Sequence, residues 1–205
     1  MNDLNLCQSH NSPAVLPSAT ADGCPQEVPD DKDFQWYVMR STYCREMKAR
    51  ELLETDGFEC YVPVRTVRIE RGGKLITKVV PVVHNLVFVF SSRALITPWK
   101  RTHEIGASLR YNIDRSTGKP MVVNKKVMDD FIRVTREADD ILFLDNPEVV
   151  VAKGQRVEII VGPFKGVQGR VLRIRRDRRV VVSIEGIVAA AMASMPQSHF
   201  RLLED

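Results

Sequence analysis

Lys153-Gly-Gln-Arg-Val-Glu-Ile-Ile-Val-Gly-Pro-Phe-Lys-Gly-Val-Gln-Gly-Arg-Val171 sets the architecture of the C-terminal part of the chain. Four glycines (Gly154, Gly162, Gly166 and Gly169), with Pro163 and Phe164, punctuate two β-branched runs. Glycine permits positive φ and close approach of backbones, so the pattern predicts strand, tight loop and strand in a very small barrel. Reading outward, strands are expected over 155–161, 168–175, 179–185, 187–193 and 199–203. Five short strands in about fifty residues predict an SH3-like barrel near the lower size limit for independent folding.

Upstream the pattern changes. Residues 1–33 carry Ser, Pro, Asn, Asp and Gly with scattered hydrophobes, and cannot bury enough apolar area to offset ordering entropy. They are read as a disordered acidic extension. Order is expected from Phe34, with a strand over 35–39 that puts Trp36 and Val38 on one face. Ser41 or Thr42 can cap a helix over about 43–55, whose stripe is Ala49, Leu52 and Leu53. Arg71-Gly72-Gly73 between two arms of alternating charge and Val, Ile or Leu is a hairpin signal. Residues 86–90, Leu-Val-Phe-Val-Phe, form the most continuous apolar strand of this half. Asn124 is expected to cap a second helix with Val127, Met128, Phe131 and Ile132 on its buried stripe, and 141–144 to form a last strand. Asn146-Pro147 marks a join. The division is thus an α+β domain over 34–145, a linker over 146–152 and the all-β domain over 153–205.

Charge follows the same division. The extension holds one basic and six acidic side chains, residues 34–145 hold 19 basic and 14 acidic, and residues 153–205 hold 10 basic and 5 acidic. Two basic bodies with an acidic tail suit contact with nucleic acid. Cys7, Cys24, Cys44 and Cys60 show neither CxxC pairing nor metal-ligand spacing, so free thiols in a reducing cytoplasm are expected. No run of about 18 apolar residues is present, which leaves no membrane-spanning helix in prospect.

The Gly-rich stretch quoted above is the KOW motif, and it resembles the KOW barrels of transcription and ribosomal proteins. The order of features adds to this. Trp36-Tyr37-Val38, Tyr61-Val62-Pro63, the Arg71-Gly72-Gly73-Lys74 tip and residues 83–89 precede the linker and the KOW stretch. In that order the chain resembles the NusG family of transcription elongation factors over 34–205. Residues 118–123, 128–134, 162–166 and 180–186 further resemble the specialised UpxY-type antiterminators of capsular polysaccharide operons. The resemblance implies a monomeric factor that binds elongating RNA polymerase and suppresses pausing or termination by holding the clamp closed. A general NusG and a KOW-type ribosome-associated protein are the alternatives.

It also implies sites. Val83, Leu86 and Phe88 would form an apolar patch on the polymerase clamp helices or else serve as plain core residues, and His84 and Leu86 depart from the family's usual Pro and Tyr. On that expectation Phe88→Asp abolishes polymerase binding and leaves the barrel folded. Thr97 and Trp99, around Pro98, fall where specialised relatives touch the gate loop; Trp99 reads equally as exposed or as a half-buried anchor. Tyr43, Arg45, Lys48, Arg101 and His103 lie in regions that contact non-template DNA in relatives. Arg173, Arg175, Arg176, Arg178 and Arg179 crowd one hairpin, either as a solvated tip or as a contact for nascent RNA. The C-terminal domain is also a candidate for a second protein partner, while Glu185 replaces an aromatic that family members often carry there.

Nothing predicts catalysis. The chain has no Walker loop, HExxH, GxSxG or paired catalytic cysteines, and its four histidines are dispersed. Asp129-Asp130 and Asp139-Asp140 sit in or just after a helix, where neighbours face different directions. No cofactor and no metal are expected.

Overall fold

The computed structural model describes residues 33–138, 141–144, 154–174, 177–184 and 187–203. The expected extension up to residue 32, the linker, Arg175, Arg176, Glu185 and the Asp139-Asp140 pair lie outside them.

The first sheet is antiparallel. β2 (Glu59–Tyr61), β5 (Leu86–Ser91), β1 (Gln35–Ser41) and β6 (Leu109–Tyr111) follow one another across it, and β7 (Val122–Val123) also pairs with β1. Alternation along β1 and β5 sorts the side chains to two faces. Trp36, Val38, Leu86 and Phe88 join one core with helix α4 (Lys125–Glu137), while Tyr37, Met39, Val87 and Val89 join another with α1 (Glu46–Thr55) and α2 (Arg93–Thr102). Both faces of the central strands are therefore covered, which is why 86–90 reads as an unbroken apolar run.

The hairpin signal is borne out. β3 (Val64–Arg71) and β4 (Lys74–Pro81) pair along their whole length, and Gly72 and Gly73 take φ of 59° and 73° at the turn. Such a two-residue turn needs positive φ twice, which glycine supplies without steric cost. The two strands form a sheet of their own.

Helix α1 starts later than the sequence suggests. Tyr43 and Cys44 adopt φ of 61° and 52°, outside the helical region, so the helix opens at Glu46 and Ser41 remains the end of β1. Helices α2 and α3 (Glu104–Ser108) were not legible beside Pro98. The Ser92 Oγ accepts the Leu95 amide at 3.3 Å and caps α2, which runs on through the proline.

The five C-terminal strands stand close to their expected places: β9 (Gln155–Ile159), β10 (Gln168–Ile174), β11 (Asp177–Ile184), β12 (Val188–Ser194) and β13 (Phe200–Leu202). They do not close into the expected barrel. Among the described residues the pairing is an open path, β13-β9-β10-β11-β12-β8, and its far edge is β8 (Leu142–Leu144), which was expected to finish the first domain. With β8 on that edge, β12 already has a partner on each side.

The motif glycines divide their work. Gly162 and Gly166 take φ of 86° and 88° in the β9–β10 loop. Gly154 and Gly169 answer to close approach instead: a Cβ at Gly169 would lie 2.5 Å from the Val181 carbonyl oxygen, and one at Gly154 2.8 Å from that of Val171. Pro163 offers its carbonyl to Arg133 on α4, and Phe164 is half-buried against the main core.

The two sheets meet on α4. Met128, Phe131 and Val134 share one core with Trp36 and Phe88 and with Val157, Val180 and Val182 of the C-terminal sheet. Phe88 is fully buried there and Leu86 is 4% exposed. The expected Phe88→Asp phenotype is corrected accordingly, because an unpaired carboxylate at that position opposes folding itself. Phe88→Ala is expected to cost about 3–5 kcal/mol, and Phe88→Asp to leave no cooperative transition. Chemical denaturation followed by circular dichroism measures both, and a Phe88→Asp variant that melts like the parent contradicts the burial.

Candidate functional site

Three loops converge at one end of the first sheet. The residues after β1 reach the turn before β5, where the Ser41 amide donates to the Asn85 carbonyl and the Cys44 amide to Asn85 Oδ1, both at 2.9 Å. The Thr42 amide donates to Ser108 O at 3.2 Å, tying in the end of α3. Tyr43, Cys44 and Asn85 all have positive φ, each a conformation that costs energy for a residue with a side chain. Asparagine tolerates it best, which was the one readable hint that Asn85 organises this corner.

The strained turn exposes an aromatic. Tyr43 is 85% exposed, and the Arg45 guanidinium lies 5.8 Å from its ring centroid. Lys48 is exposed on α1, three residues from Arg45 and hence on the same flank of the helix. His84 projects beside them at 72% side-chain exposure, with Nδ1 3.6 Å from Glu46 Oε1. Glu46 is buried, and its Oε2 has no hydrogen-bond partner among the described residues. An exposed ring next to cations can stack on a base while the cations meet phosphate.

The other predicted site residues separate. Arg101 is exposed, but no hydrogen bond or ion pair links it to this cluster among the described residues. His103 is turned inward rather than toward nucleic acid. Its ring stacks on Trp99 at 4.6 Å, Nδ1 lies 3.0 Å from the Trp99 carbonyl and Nε2 lies 3.1 Å from Asp56 Oδ2. Trp99 is itself buried and donates its indole N–H to the same Asp56 oxygen at 2.5 Å. The exposed reading of Trp99 is thus corrected: Pro98 does not break α2, and the Asp56 bond holds the indole in the core. Thr97 is half-buried beside the Tyr111 hydroxyl, at 3.4 Å.

Of the apolar trio, Leu86 and Phe88 face the core under α4, and Val83 alone is half-buried. In the C-terminal hairpin Arg173 and Arg178 stand directly opposite each other across β10 and β11, with the Arg178 guanidinium donating to Gln197 Oε1 at 2.7 Å. Like charges placed so are unfavourable unless an anion lies between them. Arg179 falls on the opposite face, half-buried, and donates to the Met192 carbonyl at 3.3 Å. It serves the sheet rather than a tip.

Residues 34–132 match the family model described as transcription termination factor nusG, and residues 153–185 match the KOW motif. Together the two matches support the NusG family for this chain. No match is found among the curated proteins. The NusG and KOW matches indicate a transcription elongation or antitermination factor, and NusG-family factors are non-enzymatic and bind RNA polymerase. No helix among the described residues is long and apolar enough to cross a membrane, and no group of His, Cys, Asp or Glu among them is arranged to hold a metal.

Cys44 lies in the strained turn and is exposed, whereas Cys60 in β2 is buried. Burial, with Glu54 adding to it, pushes the Cys60 thiol up to about 12. Alkylation of the native protein at about pH 8, near the ordinary thiol range, is expected to modify Cys44 and spare Cys60 until the protein is unfolded. Peptide-resolved mass spectrometry reads the two sites separately, and equal labelling of both refutes the placement.

Proposed function

We propose that this NusG-family chain is a specialised antitermination factor of the UpxY kind, working in the cytoplasm on one operon such as that for a capsular polysaccharide. It reads a nucleic-acid signal exposed on the elongating polymerase through the Tyr43, Arg45, Lys48 and His84 corner. The observation that supports this most is the strained turn that holds Tyr43 in water. Positive φ at three residues of that corner, Tyr43, Cys44 and Asn85, costs stability, and such cost is tolerated where a conformation serves binding. Single-stranded non-template DNA suits the corner, since a base can stack on Tyr43 while Arg45 and Lys48 neutralise phosphates.

Polymerase binding supplies the location, and the corner supplies the choice of template. The apolar strand at Leu86 and Phe88 supports the first role from within, by fixing β5 and the turn at Asn85. Of the trio, the half-buried Val83 at the start of that turn is the one we assign to polymerase contact. Arg173 and Arg178 form a second cationic point, fitted to nascent RNA.

Run-on transcription with purified polymerase tests the reading on candidate leader templates and on unrelated ones. The protein is expected to raise read-through on a matching leader only. Tyr43→Ala is expected to lower the effective affinity for that leader complex by about 1–3 kcal/mol, the usual worth of one stacked base, while co-purification with polymerase stays intact. Equal stimulation of all templates points to a general factor, and co-purification with ribosomes in place of polymerase removes the proposal.

A further inference from the structure

We infer that the β3–β4 ribbon is a binding surface for double-helical DNA, engaged through one of its two faces. Residues directly paired across an antiparallel ribbon share a face, and successive pairs alternate between faces. The pairs Arg65–Val80, Val67–Lys78, Ile69–Ile76 and Arg71–Lys74 therefore lie on one face. That face carries four cations and no acid. The opposite face holds Arg68 and Glu70, which cancel, among Thr66, Leu75, Thr77 and Val79.

The four cations are exposed, and none makes an ion pair or side-chain hydrogen bond among the described residues. At about 3.3 Å per residue, Arg65 stands about 20 Å from the Arg71–Lys74 tip, with Lys78 between them. Cations so spaced reach phosphates on both walls of a groove about 12 Å wide, and a two-stranded ribbon is narrow enough to enter it. Among the described residues the ribbon pairs with no third strand, and it leaves Ile69, Leu75, Ile76 and Val79 exposed. An isolated two-stranded ribbon has little stability of its own, so a surface of this kind is consistent with a partner.

The ribbon's composition selects duplex over single strand. Residues 64–81 contain no Phe, Tyr or Trp, so no ring is available for stacking an unpaired base. Aliphatic side chains flanked by cations instead suit the sugar edges and phosphates of a duplex. The contact is independent of the Tyr43 corner and needs no polymerase.

Fluorescence anisotropy of the full chain with a labelled random-sequence DNA duplex tests the inference. Replacing Arg65, Arg71, Lys74 and Lys78 together with Gln is expected to weaken binding at least tenfold at about 50 mM salt and to reduce the salt slope by about 3–4. Arg68→Gln, on the other face, is expected to change affinity less than about twofold. If the quadruple variant folds poorly, the pairs Arg65/Lys78 and Arg71/Lys74 are replaced separately, each reducing the slope by about 2. Wild-type affinity in the quadruple variant overturns the inference. So does an equal loss in Arg68→Gln, or tighter binding of single-stranded RNA or anionic vesicles than of duplex through these four residues. Loss of polymerase binding with unchanged duplex binding assigns the face to a protein and likewise overturns it.

Discussion

Helix α4 is the element on which the arrangement rests, because it is covered from two sides. Toward the first sheet, Phe131 meets the Tyr61 ring edge-on and Thr135 shares a 2.5 Å hydroxyl contact with Tyr61. Toward the C-terminal sheet it presents Lys126, Asp130 and Arg133, which recur at helical spacing. Asp130 is buried, takes both its oxygens to Lys126 Nζ at 2.6 Å, and accepts the Gln168 amide at 3.2 Å. Lys126 also donates to the Gly166 carbonyl at 3.0 Å. A buried carboxylate is costly unless every lone pair is answered, so these contacts specify where the C-terminal sheet sits as much as they hold it there.

The glycine motif acquires a second meaning from this contact. Positive φ at Gly162 and Gly166 turns the β9–β10 loop so that the carbonyls of Pro163 and Gly166 point at Arg133 and Lys126. The motif is thus a local solution to strand reversal and also the surface that α4 grips. Burial of Leu86 and Phe88 follows from the same contact, since a shared core has no free apolar face to offer. Surfaces that stay open to partners include the strained Tyr43 corner, the paired Arg173 and Arg178, and the β3–β4 ribbon with its cations and exposed aliphatics.

Local chemistry was legible in the sequence where one residue type has one physical use. Gly72-Gly73, the four C-terminal glycines and the Asn124 cap, which accepts the Lys126 amide at 2.9 Å, all stand where their chemistry put them. Long-range choices were not legible. Nothing local tells β8 to join β12 in place of the first sheet, nor tells five short strands to stay open. Pro98 misled because a proline is tolerated when tertiary contacts outweigh one missing backbone bond, and here Trp99, His103 and Asp56 form that set. His103 reads in sequence as a free cation near a loop. Only the fold shows that Asp56, 47 positions earlier in the chain, already occupies it.

That last case marks the difference between a charged residue and a charged site. Arg179 and His103 are bound to their own protein, whereas Arg45, Lys48 and the ribbon cations face water. Phosphate competes poorly for a side chain already held by a carboxylate or carbonyl of its own protein, because the exchange leaves that acceptor unpaired. The net charge of +4 therefore understates how the surface is organised. Cations that stabilise the fold are turned inward against specific acceptors. Others face water, among them Arg45 and Lys48 beside Tyr43, Arg101, Arg173 and the four on one ribbon face, and on that ribbon face a polyanion meets no competing acid.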